Sequence, residues 1–481
     1  MEISVFGIIY ILITLLLCFK KRWFTYWYVF SNTLFYTSVF TVGSVVIKPF
    51  HIATLIMFFV FVRGKIFLKS NIFEKDSRIL FIFLVWIYVT FLFSFFLPGS
   101  ISVISENENY NDYNNLVKLH ATVGSITQTF FPLFSIFSFF VVKAYITKTQ
   151  DIKDFTKGYL LSFIPLAITV IILFAVLNVL HQPVLIQGFF KIIYPNYTRN
   201  VDTSDYGSIG DIARTFTYIG ESSYTAKYYL IMMSLFVCMF LYRNNTKWQN
   251  FFYVCLILML IGFIIILGST TGYAGLVLLI LILAYLHLRY RRFQNRLAVK
   301  NNLNFFTLFF LFGFLIVIPV CIIFYNQISF FINFLVINHI GKIEGDAGSG
   351  ALRYNTNLIA LNVFLKSPFF GVGYGHNRST TYFTLLLSNV GIIGFFLLNY
   401  FMLYLIVMPL TKLKVMRNDL RLHAIIFVTM FIISYIINFA FSGDVAIAFG
   451  WLWTNAAILS RINNWKKLET REALIKERAN K

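Results

Sequence analysis

Charged side chains are scarce in this sequence. Asp, Glu, Lys and Arg make up 12% of the 481 residues, whereas 59% are hydrophobic. A protein with so few charged residues cannot present a mostly polar surface to water. The composition therefore excludes an ordinary water-soluble enzyme. Apolar runs of roughly 17–25 residues, long enough to cross a hydrocarbon layer about 30 Å thick, recur along the chain. The sequence therefore predicts one all-α transmembrane domain over residues 1–481.

Features of metal, nucleotide and transport proteins are also missing. The four cysteines (Cys18, Cys238, Cys255 and Cys321) are scattered through apolar segments, with no CxxC pair and no histidine at metal-ligand spacing. We predict that they are buried packing residues, and we expect neither a metal nor another cofactor. No glycine motif lies between a strand and a helix, as a nucleotide site requires. No internal repeat of the kind found in many transporters is apparent.

The apolar runs predict about thirteen transmembrane helices, within a range of 11 to 14. Their approximate spans are residues 3–19, 23–47, 49–62, 79–97, 125–146, 158–180, 225–242, 248–268, 272–287, 304–325, 382–409, 422–440 and 445–460.

The net charge of +21 is distributed unevenly over the connections between these spans. Alternate connections hold 30 of the 40 lysines and arginines. This pattern follows the positive-inside rule, so it predicts an inner-membrane protein and not a nucleic-acid partner. The basic connections are then cytoplasmic, and the N-terminus lies outside.

Three of the connections on the predicted periplasmic side are long, at residues 98–124, 181–223 and 326–381. Long loops in compact proteins are usually functional or disordered. The first is polar and acidic and is predicted to be a solvated loop, whereas the third is too hydrophobic for disorder. It is predicted to contain a short interfacial helix from about Ala351 to Lys366, with Leu358, Leu361 and Leu365 as a membrane-facing stripe.

Four charged residues and one histidine on this side could carry chemistry. Arg214 and Glu221 are two helical turns apart, and with Lys227 they form either a functional group or a structural, snorkelling set. Arg353 has a planar donor fork suited to phosphate, although it could equally be an interfacial anchor. His376 lies in a glycine-dense turn, where backbone can approach a ligand closely and an imidazole can accept a proton.

From Arg214 onward, about half of the chain resembles the bacterial O-antigen polymerase and ligase superfamily. The matching segments are Arg214–Tyr224, Ser269–Gly272, the helix that begins near Arg353, Ser367–Gly375 and Leu385–Gly394. Ser269–Gly272, between two predicted helices, could either cap the second helix or line a sugar-binding cavity.

The sequence departs from the family pattern at two places. Ser269-Thr270 stands where the family often has Ser-Arg, so one phosphate-binding arginine is missing or is supplied elsewhere. Thr380 and Thr381 stand where ligases typically have a His-Asn pair, which disfavours the ligase alternative.

The resemblance implies a metal-independent glycosyltransferase with a GT-C-type membrane fold. It would join oligosaccharide repeat units carried on undecaprenyl pyrophosphate, as an O-antigen polymerase does in lipopolysaccharide synthesis. Its expected partners are these lipid-linked glycans, the bilayer and possible chain-length regulator and flippase proteins. A ligase, or a polysaccharide flippase or other transporter, is the alternative.

The resemblance also implies roles for individual residues. Arg214 and Arg353 would hold the donor pyrophosphate, and Tyr224 and Tyr354 would stack on sugar rings. Glu221 or His376 would take the proton from the acceptor hydroxyl.

Overall fold

The structure is a computed structural model. It describes residues 2–35, 37–42, 45–62, 74–93, 95–96, 99, 101–104, 116–120, 123–182, 185, 208–209, 212–213, 217, 219, 222–267, 269–290, 349–441, 449–466 and 469–470.

Helices dominate the described part of the chain. They are α1 (Val5–Leu17), α2 (Lys21–Thr33), α3 (Pro49–Met57), α4 (Lys75–Phe93), α5 (Val123–Tyr145), α6 (Thr149–Phe174), α7 (Ser222–Tyr242), α8 (Lys247–Ile266), α9 (Thr270–Tyr290), α10 (Ser349–Lys366), α11 (Tyr382–Lys412), α12 (Asn418–Phe441) and α13 (Gly450–Asn463). Short π-helical turns, Phe58–Val62 and Ala175–Val179, extend α3 and α6.

Among the described residues, seven helices (α5 to α9, α11 and α12) are long and apolar enough to cross a membrane. Helix α1, and α3 together with its extension, are shorter apolar helices. The chain is therefore a helical polytopic membrane protein, as its composition predicts. The number of thirteen crossings stays a prediction, because the span 304–325 lies outside the described residues.

The predicted helix over residues 23–47 is wrong in its second half. Helix α2 ends at Thr33, and the chain continues as the strands β2 (Phe40–Val42) and β3 (Val45–Ile47), which pair antiparallel with Thr41 opposite Val46. Strand β1 (Glu2–Ile3) adds to β2, with Glu2 opposite Thr41. A run rich in β-branched residues, interrupted by a glycine, favours a hairpin, although its hydropathy equals that of a helix.

Two more pairs of very short strands lie within the described residues. β4 (Ser102–Val103) pairs with β5 (Val117–Lys118), and β6 (Ser208–Ile209) pairs with β7 (Ile212–Ala213), both antiparallel. The first of these pairs packs with α10 in a small apolar cluster of Ile101, Val103, Leu119, Val363 and Val372.

Helix α13 occupies the centre of the bundle, since every residue from Gly450 to Asn463 is buried. It packs against α5, α11 and α12, and its Trp451 and Trp453 are among the largest fully buried side chains. Around it, α2 packs on α6, α7 on α12 and α4 on α11. A helix enclosed on all sides must satisfy its polar groups through its neighbours.

Charged side chains bond to α13 where α4, α5 and α13 meet. This contact lies at the end of the bundle that carries Lys21, Lys143 and Lys412, here called the basic end. Lys143 Nζ lies 2.8 Å from Glu74 Oε2 and donates to Asp76 at 3.1 Å. Ser460 on α13 donates to Asp76, and all three ionised side chains are at most 5% exposed. This buried ion cluster joins three helices.

The cysteine prediction is only partly correct. Cys238 is buried, Cys18 is half-buried, and Cys255 on α8 is exposed. Cys255 lies on an outward face of a spanning helix, where lipid and not protein is the apolar surrounding. Cys321 lies outside the described residues.

Candidate functional site around the glycine loop

The opposite end of the bundle is organised by a break in helix α11. At Gly391 the backbone takes φ 63° and ψ −173°, so the helical hydrogen bonds are interrupted there. The freed carbonyls of Ser388 and Asn389 accept hydrogen bonds at 2.9 Å from the backbone N–H groups of Val372 and Gly373. Residues 371–376, the glycine loop, are thereby fixed to α11.

The glycines are needed for this backbone contact. A Cβ on Gly371 would lie 2.4 Å from the carbonyl carbon of Asn389, and one on Gly391 would lie 2.2 Å from the carbonyl oxygen of Phe369. Both residues also have positive φ, which disfavours other L residues. The sequence predicted glycines that admit a ligand, whereas these two admit a neighbouring segment of the same chain.

His376 lies inside the loop and is 4% exposed. Its Nδ1 is 3.2 Å from the carbonyl oxygen of Gly373, and its ring packs against Phe91 with centroids 5.3 Å apart. Burial lowers the pKa of His376 below its ordinary value, so the ring is neutral at pH 7. Nδ1 then donates to Gly373, and Nε2 is a buried acceptor without a partner among the described residues.

An amide network anchors the residues that follow. Asn389 Oδ1 accepts from the backbone N–H groups of His376 and Asn377, and Asn389 Nδ2 donates to the Asn377 carbonyl at 2.8 Å. Asn377 in turn donates to Ser388 Oγ at 3.1 Å and accepts from the Ile104 N–H. Buried amides satisfied on both sides hold a loop in one conformation.

A second polar group, here called the hydroxyl cluster, joins α10 to the start of α11. Asn357 Oδ1 lies 2.7 Å from Ser379 Oγ, 2.9 Å from Thr384 Oγ1, and 3.2 and 3.3 Å from the hydroxyls of Thr381 and Thr380. The Thr381 N–H also donates to it, at 3.2 Å. One carbonyl oxygen has two lone pairs, so the hydroxyls also bond to other partners inside the cluster. Ser379 and Thr381 each lie within hydrogen-bond distance of Thr384 Oγ1, and Thr380 Oγ1 lies 3.0 Å from Thr356 Oγ1. A hydroxyl that donates inside the cluster still has a lone pair with which to accept from another polar molecule.

Sequence reasoning missed this cluster. Thr380 and Thr381 were noted only as departures from a ligase pattern. The available signal was the density of hydroxyls over Ser379–Thr384 beside an Asn-containing amphipathic helix.

Helix α10 lies where a short helix was predicted. Its Thr356 and Ala360 are fully buried, whereas Leu358, Leu361 and Leu365 are 45%, 38% and 71% exposed. The exposed leucines form one stripe, as expected for a helix that meets lipid. The interfacial position itself stays a prediction.

Two predicted site residues lie in the second turn of this helix. Arg353 and Tyr354 are both exposed, Tyr354 to 67%. The carbonyl of Arg353 accepts from Thr380 Oγ1 at 3.3 Å, which ties this turn of α10 to the hydroxyl cluster. Arg353 is thus brought to the same hydrogen-bonded layer as the segment that follows His376.

Tyr224 has a different environment from Tyr354. Its ring lies 5.5 Å from Phe449 and 6.1 Å from Phe35, both edge-on, and Lys227 Nζ is 4.9 Å from its centroid. A ring engaged on several sides is poorly placed to stack on a sugar. Tyr354 is the better candidate for that role.

Three other predictions have different outcomes. Arg214 and Glu221 lie outside the described residues, so their roles stay predictions. At Ser269, the carbonyl accepts from the N–H groups of Gly272 and Tyr273, at 2.9 and 3.2 Å, so this residue opens helix α9. The roles predicted for the hydroxyls of Ser269–Gly272 stay predictions.

Within the described ranges, no group of three His, Cys, Asp or Glu side chains could hold a metal ion. In comparisons with known proteins, neither a family model nor a curated protein matches this chain.

Proposed function

We propose that this protein is a membrane glycosyltransferase of the O-antigen polymerase type. It would act on the periplasmic side of the inner membrane and join repeat units carried on undecaprenyl pyrophosphate. The proposal rests on the sequence resemblance, and one structural observation supports it best. Arg353 and a cluster of neutral hydroxyls share one hydrogen-bonded layer beside an exposed apolar stripe.

This combination suits a lipid-linked glycan. The leucine stripe of α10 would face lipid near the isoprenoid chain, and Arg353 would bind the pyrophosphate through two parallel hydrogen bonds. The hydroxyl cluster would bind sugar hydroxyls, which both donate and accept. Tyr354 would stack on a sugar ring. The sugar-pyrophosphate bond supplies the energy, and Arg353 stabilises the negative charge on the leaving group.

The proton acceptor is better sought outside the loop. His376 is neutral, as a base must be, but its Nε2 is enclosed and cannot touch an acceptor hydroxyl in this conformation. We therefore assign His376 a positioning role within the loop, and Glu221 remains the predicted base. Arg214 would complete the pyrophosphate site.

A deletion strain tests the activity. Loss of a polymerase should leave lipopolysaccharide with one repeat unit on a gel, whereas loss of a ligase or of a flippase should leave none. An unchanged long ladder in the deletion strain would reject the proposed pathway altogether.

Substitutions at Arg353 test the site. Arg353→Lys keeps the charge but loses the planar fork, so the ladder should shorten nearly as much as with Arg353→Ala. A membrane anchor needs only a cation on a flexible stem, so it predicts a normal ladder with Lys. Lys366→Ala, on the last turn of the same helix, is the matched control. Immunoblots would confirm equal protein levels.

A further inference from the structure

A groove of about 290 Å³ lies between α1, α2 and α6, remote from the glycine loop in sequence. Its walls are mainly apolar and aromatic; the lining residues are Leu17, Trp23, Tyr26, Trp27, Phe30, Leu161, Ser162 and Pro165. Its size is near the lower limit of small-molecule sites, roughly 300 Å³, so it would hold part of a larger molecule.

The packing of α2 on α6 explains why a gap forms here. Gly158 lets the helices approach, because a Cβ there would lie 3.0 Å from Val29 Cγ2 and 3.4 Å from Tyr26 Cα. One to two turns further along α6, Pro165 has no N–H to donate to the Leu161 carbonyl, and a proline inside a helix bends it. The helices are thus close at Gly158 and separate beyond it.

The groove opens to the outside of the bundle. Trp23 and Leu161 are 54% and 46% exposed, and Ile164 and Ile168, both 52% exposed, extend the apolar surface along α6. In a polytopic membrane protein such a surface faces hydrocarbon. The groove is therefore accessible to a lipid chain.

Positive charge gathers at one end of the groove. Lys20 and Arg22 are exposed beside Trp23, and Lys157 is exposed one turn before Leu161. Arg22 donates from Nε to Tyr26 Oη at 2.6 Å and lies 3.7 Å, again through Nε, from Asp154. Both contacts involve the same guanidinium group, Nε–H. The four N–H groups on Nη1 and Nη2 can therefore bind an anion.

The nearby carboxylates cancel only part of this charge. Asp151 lies 2.7 Å from Lys21, and Asp154 lies 3.7 Å from Arg22 and accepts from Gln150 at 2.9 Å. Lys20 and Lys157 add two further positive charges, so this end of the groove is positive overall.

We propose that the groove binds an anionic phospholipid, with one acyl chain against the aromatic wall and the phosphate against Lys20, Arg22 and Lys157. An apolar channel that ends in exposed cations matches a molecule with a long apolar tail and a negative head. Basic sites between transmembrane helices bind anionic headgroups in this way. The proposal does not depend on glycosyl transfer.

Native mass spectrometry of the purified full-length protein tests it, with phosphatidylglycerol and phosphatidylethanolamine of identical acyl chains. Each basic residue near a membrane surface favours an anionic lipid by about fivefold. The triple substitution Lys20→Gln, Arg22→Gln and Lys157→Gln should therefore weaken phosphatidylglycerol binding by up to about 100-fold and remove its preference. Leu161→Trp, which fills the groove, should weaken both lipids.

A matched control carries three substitutions at other exposed basic positions, Lys247→Gln, Lys414→Gln and Arg417→Gln. It should leave the preference for phosphatidylglycerol intact. Equal binding of both lipids by the unmodified protein, or the same loss in the control, would overturn the proposal.

Discussion

The buried ion cluster at the basic end allows a quantitative prediction for Lys143→Met. Lys143 Nζ contacts Glu74 at 2.8 Å, Asp76 at 3.1 Å and Ser77 Oγ at 2.6 Å, and its side chain is 1% exposed. Methionine fills nearly the same volume, so packing changes little and the main loss is the charge. Two buried carboxylates would then lack their ammonium partner.

Removing one member of a buried ion pair typically costs about 3–5 kcal/mol. Set against a total stability of roughly 5–15 kcal/mol, the loss is large. The assay is the midpoint temperature of aggregation in detergent, measured by size-exclusion chromatography after heating. We expect a markedly lower midpoint for Lys143→Met than for the unmodified protein.

The matched control is Lys153→Met. Lys153 pairs with Asp419 at 3.2 Å, but the two side chains are 37% and 31% exposed, so this pair contributes at most about 1 kcal/mol. Adding Glu74→Gln and Asp76→Asn to Lys143→Met removes the unpaired charges and should recover part of the loss. Equal midpoints for Lys143→Met and Lys153→Met would refute the reasoning.

Three further predictions concern the loop, its histidine and the topology. Gly391 has φ 63° and ψ −173°, a backbone conformation open essentially to glycine alone. Gly391→Ala should destabilise the protein by more than the roughly 1–3 kcal/mol of that backbone strain, because its Cβ would also meet Phe369. Gly262→Ala, with open space around it, should be nearly neutral. The pKa of His376 is lowered in the folded protein, so below the ordinary value of 6.5 the unfolded chain binds more protons, and the stability decreases as the pH is lowered. In His376→Gln, the midpoint temperature of aggregation should depend less on pH in this range. A reporter active only in the periplasm should work when fused after Tyr206 or Gly345 and fail when fused after Arg296 or Lys414. Reporter activity after Arg296 and Lys414 would show that the predicted topology is inverted.

How much of this molecule could be predicted from its sequence depends on how local each feature is. Spanning helices such as α6 and α8 can be predicted from hydropathy, because each helix satisfies its backbone polar groups by hydrogen bonds within itself. The hairpin after Thr33 could not be found in this way, since Val and Ile raise hydropathy in strands and helices alike. Its β-branched composition was the available signal.

The site was less predictable because its contacts are not local. The glycine loop was visible as a pattern, but its partner, the break at Gly391, is defined only by folding. Asn357 and Thr384 are each ordinary residues in the sequence, and their meaning arises from the 2.9 Å contact between them. Arg353 was chosen from its chemistry, and only the fold relates it to Thr380.

These contacts connect helix α11 to the proposed phosphate site through a continuous series of hydrogen bonds. The break at Gly391 frees the Ser388 and Asn389 carbonyls, which fix the glycine loop and so the segment that follows it. That segment holds α10 through Asn357 and the Arg353 carbonyl. A change at Gly391 should therefore move Arg353 without touching it, so a shorter ladder in Gly391→Ala would not by itself locate Gly391 at the substrate. Only the comparison of Lys with Ala at Arg353 separates binding of the pyrophosphate from support of the helix that presents it.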